Sequence, residues 1–384
     1  MSANTQENLT KTIEFIRFLY NTQAFIPLHE PRFCGNEKKY LCECIDSTYV
    51  SSVGKFVERF EKEIASYVGA KYAVATVNGT SALHIALVGA GVTRNDEVLT
   101  QVLSFVATPN AISYTGAKPV FLDVDRDTMG LSPQALEHFL NTHCEMVDGV
   151  CINTTTRNPI KACVAMHTFG HPCRIDEIVK ISQKWNIVVV EDSAESLGSL
   201  YKNKHTGTFG KMGVFSFNGN KIITSGSGGV VVTDDEALAQ KLKHLTTTAK
   251  VPHRWEYEHD EIGYNYRLSN LNAALLVAQL EQLDTFLTNK QQLAKEYEHF
   301  FKSLEGIEFK TQPKDAKSNY WLNAIEVKNK DQTLEILNNN GIMSRPVWKL
   351  LHTLPIYKAC HCEAVPNAKY LQEHIINIPS SVRV

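Results

Sequence analysis

The chain has 384 residues, 43% hydrophobic and 21% charged, the balance of a globular protein long enough to bury a large core in two domains. A formal net charge of −2 excludes a general pull toward nucleic acid or an anionic membrane. No apolar run nears the roughly 20 residues of a membrane span. The nine cysteines include no CxxC pair, and neither "CEC" (Cys42, Cys44) nor "CHC" (Cys360, Cys362) has zinc-knuckle spacing. Reduced thiols in a cytoplasmic protein, with no metal site, are expected.

The opening "MSANTQENLTKTIEFIRFLY" lacks a basic region followed by an unbroken apolar stretch, so it does not read as a secretory leader. It reads as an amphipathic helix with Leu9, Ile13, Ile16 and Tyr20 on one face. Phe15 and Phe18 fall off that face, where a second neighbour could meet them. From about residue 71 short β-rich runs alternate with helical ones. "KYAVATV", "EVLTQVLSF", "KPVFLDV", "KACVAMHTFG", "NIVVVED", "GVFSFN" and "GGVVVTDD" read as strands. "NGTSALHIALVGAG", "ATPNAISYTGA" and "RIDEIVKISQKW" read as helices between them. Such alternation predicts an α/β fold, a large mixed sheet covered by helices on both faces. A long helical stretch from about Leu268 to Leu304 breaks near Asp284. Beyond it, "YWLNAIEV" (strand), "DQTLEILNNNG" (helix) and "IMSRPVW" (strand) predict a smaller α+β domain. The expected division is an N-terminal segment at 1–35, a large domain at 36–265, connecting helices at 266–304 and a small domain at 305–384.

Three stretches carry chemistry. In "VNGTSALHIAL" a strand ends, Gly79 turns the chain, and Thr80 and Ser81 open a helix. Helix N-termini present unpaired N–H groups that suit a phosphate, although Thr80 alone reads equally as a cap. In "VVVEDSAESLG" Asp192 follows a buried strand, at the end where α/β sheets hold ligands; alone it too reads as a cap. In "VFSFNGNKIITSGSGG" a single amine, Lys221, sits among small residues 29 positions after Asp192, with Ser216 on the strand before it. Alone it reads as a solvated loop lysine. Together they offer what pyridoxal phosphate requires: a phosphate cradle, an acid to keep the pyridine nitrogen protonated, and a lysine for a Schiff base.

At this point the chain resembles the DegT/DnrJ/StrS sugar aminotransferases, pyridoxal phosphate enzymes of fold type I, like aspartate aminotransferase. The resemblance runs from about "FIPLHEP" to "NIPSSV" and rests on "NGTSALH", "SFVATPNAI", "HTFGHP", "EDSAESLG", "TGTFGKMGVFSFNGNK" and "GYNYRLSNLNAAL". It implies that Lys221 is the Schiff-base lysine and acid–base group, and that Asp192 pairs with the pyridinium. It implies Glu195 near the cofactor's 3-hydroxyl, Phe105 stacked on the ring, and Thr80, Ser81 and Ser216 on the phosphate. The Asn of "YNYR", Asn265, would reach the phosphate of a neighbouring subunit, which implies a homodimer with shared active sites. Relatives that act as dehydratases carry His at the lysine position; Lys221 favours transamination.

Four further stretches, "EPRFCGNEKKYLCECIDSTYVSSVGKFVERFE", "CINTTTRNPI", "HLTTTAKVPHRWEYEHDEIGYNYR" and "GIMSRPVWKLLHTLPIY", are similar to aminotransferases of legionaminic acid and bacillosamine pathways. They imply L-glutamate as donor and a UDP-linked 2-acetamido-2,6-dideoxy-4-ketohexose as acceptor, for a bacterial surface glycan; a GDP-linked 4-ketosugar is the alternative. "SRPVW" replaces the "HY" of many relatives, so Arg345, Trp348 and His352 are candidates for the sugar or nucleotide pocket. Arg254, in a loop with Lys250, His253, Trp255 and Tyr257, is a candidate for the diphosphate. A cofactor-binding regulator without turnover stays open, as does a nucleotide-binding oxidoreductase, although the latter lacks a GxGxxG turn.

Overall fold

The computed structural model describes residues 3–383. The seven runs read as strands each form one: β1 Tyr72–Thr76, β2 Glu97–Gln101, β3 Lys118–Leu122, β4 Ile160–Met166, β5 Val188–Asp192, β6 Met212–Ser216 and β7 Gly229–Thr233. They build one sheet in the order β1-β7-β6-β5-β4-β2-β3. The five strands from β6 to β3 run parallel, while β7 is antiparallel to both its neighbours. All five parallel strands therefore present their carboxyl ends on one side, where the ligand crevice of an open α/β sheet lies.

Side chains alternate across a strand, and the core divides accordingly. Val74, Val98, Val164, Val190, Val214 and Val231 meet Leu83 and Leu87 of the helix Gly79–Gly89 and Leu242 of the helix Glu236–Thr246. Leu99, Cys163 and Val189 point the other way, onto Leu136 and Phe139 of Pro133–His143 and Ile178 of Ile175–Lys184. Farther along that second face Ala75, Phe215, Val230 and Val232 meet Phe56 and Phe60 of the helix Lys55–Val68 and Leu276 of Asn270–Leu280. Helices thus cover both faces. Glu37–Asp46, Lys55–Val68, Pro133–His143 and Glu236–Thr246 add to those the motifs announce.

The later strands β8 Ile307–Phe309, β9 Asn323–Val327, β10 Arg345–Pro346 and β11 Ile375–Ile378 form a second, antiparallel sheet in the order β8-β9-β11-β10. The helix Ala3–Tyr20 belongs to its core: Leu9 and Ile16 are buried with Tyr297, Phe301, Ile325 and Ile376. Phe15 stacks on Phe300 at 4.0 Å between ring centres, whereas Phe18 stays 77% exposed. The long helical stretch breaks at Glu281–Gln282, between Asn270–Leu280 and Leu283–Phe301, slightly before Asp284. Two C-terminal stretches are strand over less than their predicted length. In "YWLNAIEV" only Asn323–Val327 is strand, because Tyr320 adopts a left-handed φ of 48° and the Trp321 backbone N–H and C=O go to the side chains of Asn319 and Lys290 instead of to a neighbouring strand. In "IMSRPVW" only Arg345–Pro346 joins the sheet, at its edge, while Ile342 makes an isolated bridge to Ile26. No helix among the described residues is long and apolar enough to cross a membrane.

Beneath the carboxyl ends of the sheet, Glu191 is fully buried. Its two oxygens accept from the backbone N–H groups of Gly207 (2.7 Å), Phe209 (2.6 Å) and Gly210 (2.7 Å), and Oε2 lies 3.0 Å from His167 Nε2. One carboxylate thus ties the loop before β6 to the end of β4, immediately next to Asp192. Glu191→Ala strands one buried donor, Gly207 N, and two half-buried ones, Phe209 N and Gly210 N, and a buried donor left unpaired costs about 1–3 kcal/mol. Urea unfolding of that variant should show a loss of about 3 kcal/mol or more; a loss below about 1 kcal/mol would contradict this role.

Candidate active site

Five backbone segments converge at the carboxyl ends of β1, β2, β4, β5 and β6. They enclose a cavity of about 240 Å³ lined by Thr80, Phe105, Asp192, Glu195, Ser216 and Lys221, with Asn78, Gly79, Leu83, Ala107, Met166, Ala194 and Asn218. Six of the expected site residues therefore share one space.

The helix Gly79–Gly89 starts at this cavity because Asn78 caps it, its side chain accepting from Ser81 N at 2.8 Å. Gly79 lets that first turn press on β6: a Cβ there would stand 2.7 Å from Ser216 Cβ. Thr80 and Ser216 consequently line the same wall. Ser81 is buried one position further on, and its amide is already engaged by Asn78. A helix N-terminus beside two hydroxyls is suited to a phosphate group.

Asp192 ends β5 and is 3% exposed. Thr108 Oγ1 donates to its Oδ2 at 2.7 Å, and Ala194 N donates to its Oδ1 at 3.2 Å. Burial raises its pKa, against the opposing effects of those two donors and of the Lys221 charge. Glu195 follows one turn later. Its Oε2 accepts from Phe169 N at 2.9 Å and its Oε1 lies 3.3 Å from Lys221 Nζ. Burial pushes its pKa up to about 7, with the Lys221 charge pulling the other way.

Lys221 stands in a loop held at both ends. Its own N–H donates to Asn218 O at 2.9 Å. Thr224 Oγ1 donates to Phe217 O at 2.9 Å, and Asn272 Nδ2, on the helix Asn270–Leu280, donates to Ser225 O at 2.7 Å. The amine is mostly buried, with the side chain 12% exposed. Phe105 presents a ring that is 49% exposed, an accessible face for a stacked ligand. A primary amine, a buried acid and a helix start on one cavity match the three demands of pyridoxal phosphate, so the residues present fit that cofactor.

The remaining expected residues lie outside the cavity lining. Trp348 borders it, 6.4 Å from Phe105 and 5.0 Å from Phe169 between ring centres. His352 is half-buried, its Nδ1 sealed from solvent, and its pKa is lowered by burial. Arg345 is exposed on β10. Arg254 is exposed in a hairpin, Lys250–Val251 paired with Glu258–His259, where its guanidinium lies 5.7 Å from the Trp255 ring. Asn265 is exposed and bridges to Thr247. Motif reading missed Thr108 and the Phe169 amide; the first lies inside "SFVATPNAI" and the second inside "HTFGHP". It also missed Trp321, whose ring sits 4.0 Å from Lys221 Nζ and which no spacing pattern announces.

Comparison with known proteins finds relatives over nearly the whole chain. The model of the DegT/DnrJ/EryC1/StrS aminotransferase family matches residues 33–384. The chain is 38% identical to the GDP-perosamine synthase of Escherichia coli O157:H7 over 93% of each chain. It is 35% identical to the GDP-perosamine synthase of Caulobacter vibrioides, over 92% of this chain and 93% of that one. Among solved structures, a DegT DnrJ EryC1 StrS aminotransferase from Brucella abortus superposes with a TM-score of 0.83 at 26% identity, covering 90% of each chain.

The Glu195 geometry gives a signed expectation for pH. Its folded pKa of about 7 lies above the ordinary 4.5, so its contribution to stability is complete below about pH 4.5 and is lost as pH rises through about 7. Urea unfolding of the full-length chain without added cofactor should therefore show wild type losing more than about 1 kcal/mol relative to Glu195→Gln between pH 5 and pH 8. Parallel pH profiles would contradict it.

Proposed function

The chain belongs to the DegT/DnrJ/EryC1/StrS aminotransferase family, a family that depends on pyridoxal phosphate, and we propose that it moves the amino group of L-glutamate onto C4 of a nucleotide-linked 4-keto-6-deoxy sugar. The observation that carries this reading is the shared cavity of Lys221, Asp192 and Glu195 at the sheet's carboxyl ends. The nucleotide we favour is GDP, because relatives covering more than nine-tenths of the chain are named for a GDP-linked product. That choice replaces the UDP expected from the resemblance.

When bound, the cofactor supplies the aldehyde that takes up the amine and a ring that spreads the electron pair left when the Cα proton departs. The chain does the rest. Thr80, Ser216 and the helix start hold the phosphate; Ser81 supports them through its capped amide. Asp192 keeps a proton on the ring nitrogen, a role suited to a carboxylate already fixed by Thr108 and Ala194. Phe105 covers one ring face. Lys221 Nζ anchors the cofactor and, when free, carries the proton from Cα of the donor. It must then be a neutral amine for part of the cycle, with Glu195 placed to take up or return the charge.

The acceptor would enter past Trp348, with Arg345 and His352 behind it, while Arg254 meets the diphosphate. Charge-assisted hydrogen bonds to phosphate suit an arginine. Tyr49, Val53, Trp255, Tyr257 and Ile262 are large and exposed, the kind of surface that a second copy covers. In such a homodimer Asn265 would reach the neighbouring phosphate site.

A panel of GDP- and UDP-linked 4-keto-6-deoxy sugars with L-glutamate, read by NMR of the product, tests the reading. A GDP-linked sugar aminated at C4 is expected, with turnover lost in Lys221→Ala. In the same assay Arg254→Ala should raise the sugar-nucleotide KM about tenfold and leave the glutamate KM alone. Amination at another carbon, or full activity in Lys221→Ala, would overturn it.

A further inference from the structure

Lys221 is touched from the C-terminal unit as well as from the sheet. The segment Ser318–Trp321 leaves the smaller unit and crosses into the larger one. Ser318 Oγ donates to Gly170 O at 3.0 Å. Asn319 N donates to Ser199 Oγ at 2.9 Å, and Asn319 Nδ2 donates to Glu195 O at 2.9 Å and to Leu197 O at 2.8 Å. Asn319 Oδ1 in turn accepts from Trp321 N at 2.8 Å. The fit is close: a Cβ on Gly170, whose φ is 94°, would lie 1.8 Å from Asn319 Oδ1.

Trp321 ends this strap. It is 4% exposed. Its Nε1–H donates to Asn220 O at 2.7 Å, on the residue immediately before Lys221. Its carbonyl accepts from Lys290 Nζ at 3.2 Å, and Lys290 is itself fully buried and also donates to Ser380 O. The indole is therefore fixed at both its backbone and its ring nitrogen. Its face carries the Lys221 ammonium at 4.0 Å from the ring centre, within the range of a cation–π contact, for which tryptophan is the strongest partner. Two groups consequently hold one amine: the Glu195 carboxylate at 3.3 Å and the Trp321 face. The strap fixes both, Glu195 through its carbonyl and Trp321 directly.

We propose that Trp321 is a positioning residue for Lys221, an aromatic platform on which the unbonded ε-amine rests as an ammonium. The inference rests on the reading of Lys221 as the reactive amine, yet it concerns the free side chain and is measurable without turnover. The platform also explains why an indole, rather than a smaller apolar residue, fills this place. A group that is released and recaptured in every cycle needs a defined resting position within reach of its target. The other titratable groups facing the amine are Glu195, Asp192 and the His29 imidazole, whose pKa burial drives well below the usual value.

The test is chemical labelling of the full-length chain freed of cofactor. Reductive methylation attacks the neutral amine, and peptide mass spectrometry reads Lys221 separately from every other lysine. At pH 7, Trp321→Leu should label at Lys221 about fivefold faster than wild type, with Trp321→Phe, which keeps an aromatic face, in between. Lys290, under the same strap, should stay unlabelled in all three. If Trp321→Leu loosens the whole fold, so that Lys290 labels as well, fluorinated tryptophans placed at 321 decide. They keep the shape and drain the ring face, so the Lys221 rate should climb with each added fluorine. A wild-type rate in a folded Trp321→Leu, or a flat fluorine series, overturns the proposal. Absence of sugar amination would leave these rates untouched and would count only against the substrate.

Discussion

A carboxylate taken out of water costs several kcal/mol unless something answers its charge, and this chain withdraws Asp192 and Glu195 side by side. Both are raised by burial, and both are held down in part by one amine, Lys221. The surrounding structure is arranged to make that concentration of charge tolerable. Thr108, Ala194 and Phe169 each direct a donor at a carboxylate oxygen. An arrangement this demanding is hard to explain as packing alone, because apolar side chains of similar size would cost less. Perturbed acids around an amine in a cavity are the mark of a site built for chemistry.

The fold supplies the rigidity. Five parallel strands bring their carboxyl ends to one side, and Glu191 locks the loop before β6 directly beneath Asp192. From the other direction the C-terminal unit reaches over. Leu351 N donates to Val102 O, Cys362 bridges beside Phe121, and Ser318–Trp321 threads against the turn at Phe169 and Gly170. The two units are therefore joined at the site itself. On the proposed reading, the smaller unit would set amine positioning and acceptor contacts, while the larger one would hold the cofactor.

Much of this was legible in the chain. Strands flanked by turn residues showed as short valine-rich runs, and all seven of the main sheet were placed. The site was legible where chemistry confines itself to short motifs: Thr80, Asp192, Ser216 and Lys221 each end or follow a predicted strand. The rest depends on contacts between distant segments. Asn319 and Trp321 lie in "SNYW", inside a stretch whose hydrophobic pattern continues the following strand. Only the left-handed turn at Tyr320 and the reach to Asn220 and Glu195, about 100 and 124 positions away, take them out of it. Periodicity carries no information about such reach. Arg254 and Arg345 show the opposite limit. A departure from the relatives' pattern nominated Arg345 and a basic, aromatic loop nominated Arg254, but a single chain leaves both exposed and outside the cavity, so their part depends on a substrate or a second copy.

The central claim is that one amine carries the cofactor. Reducing the holoenzyme with borohydride fixes any cofactor–lysine bond permanently, and peptide mapping then locates it. The account predicts a single cofactor-bearing peptide modified at Lys221 and an unmodified Lys290. A bond at any other lysine, or none on a protein that holds the cofactor, would contradict it.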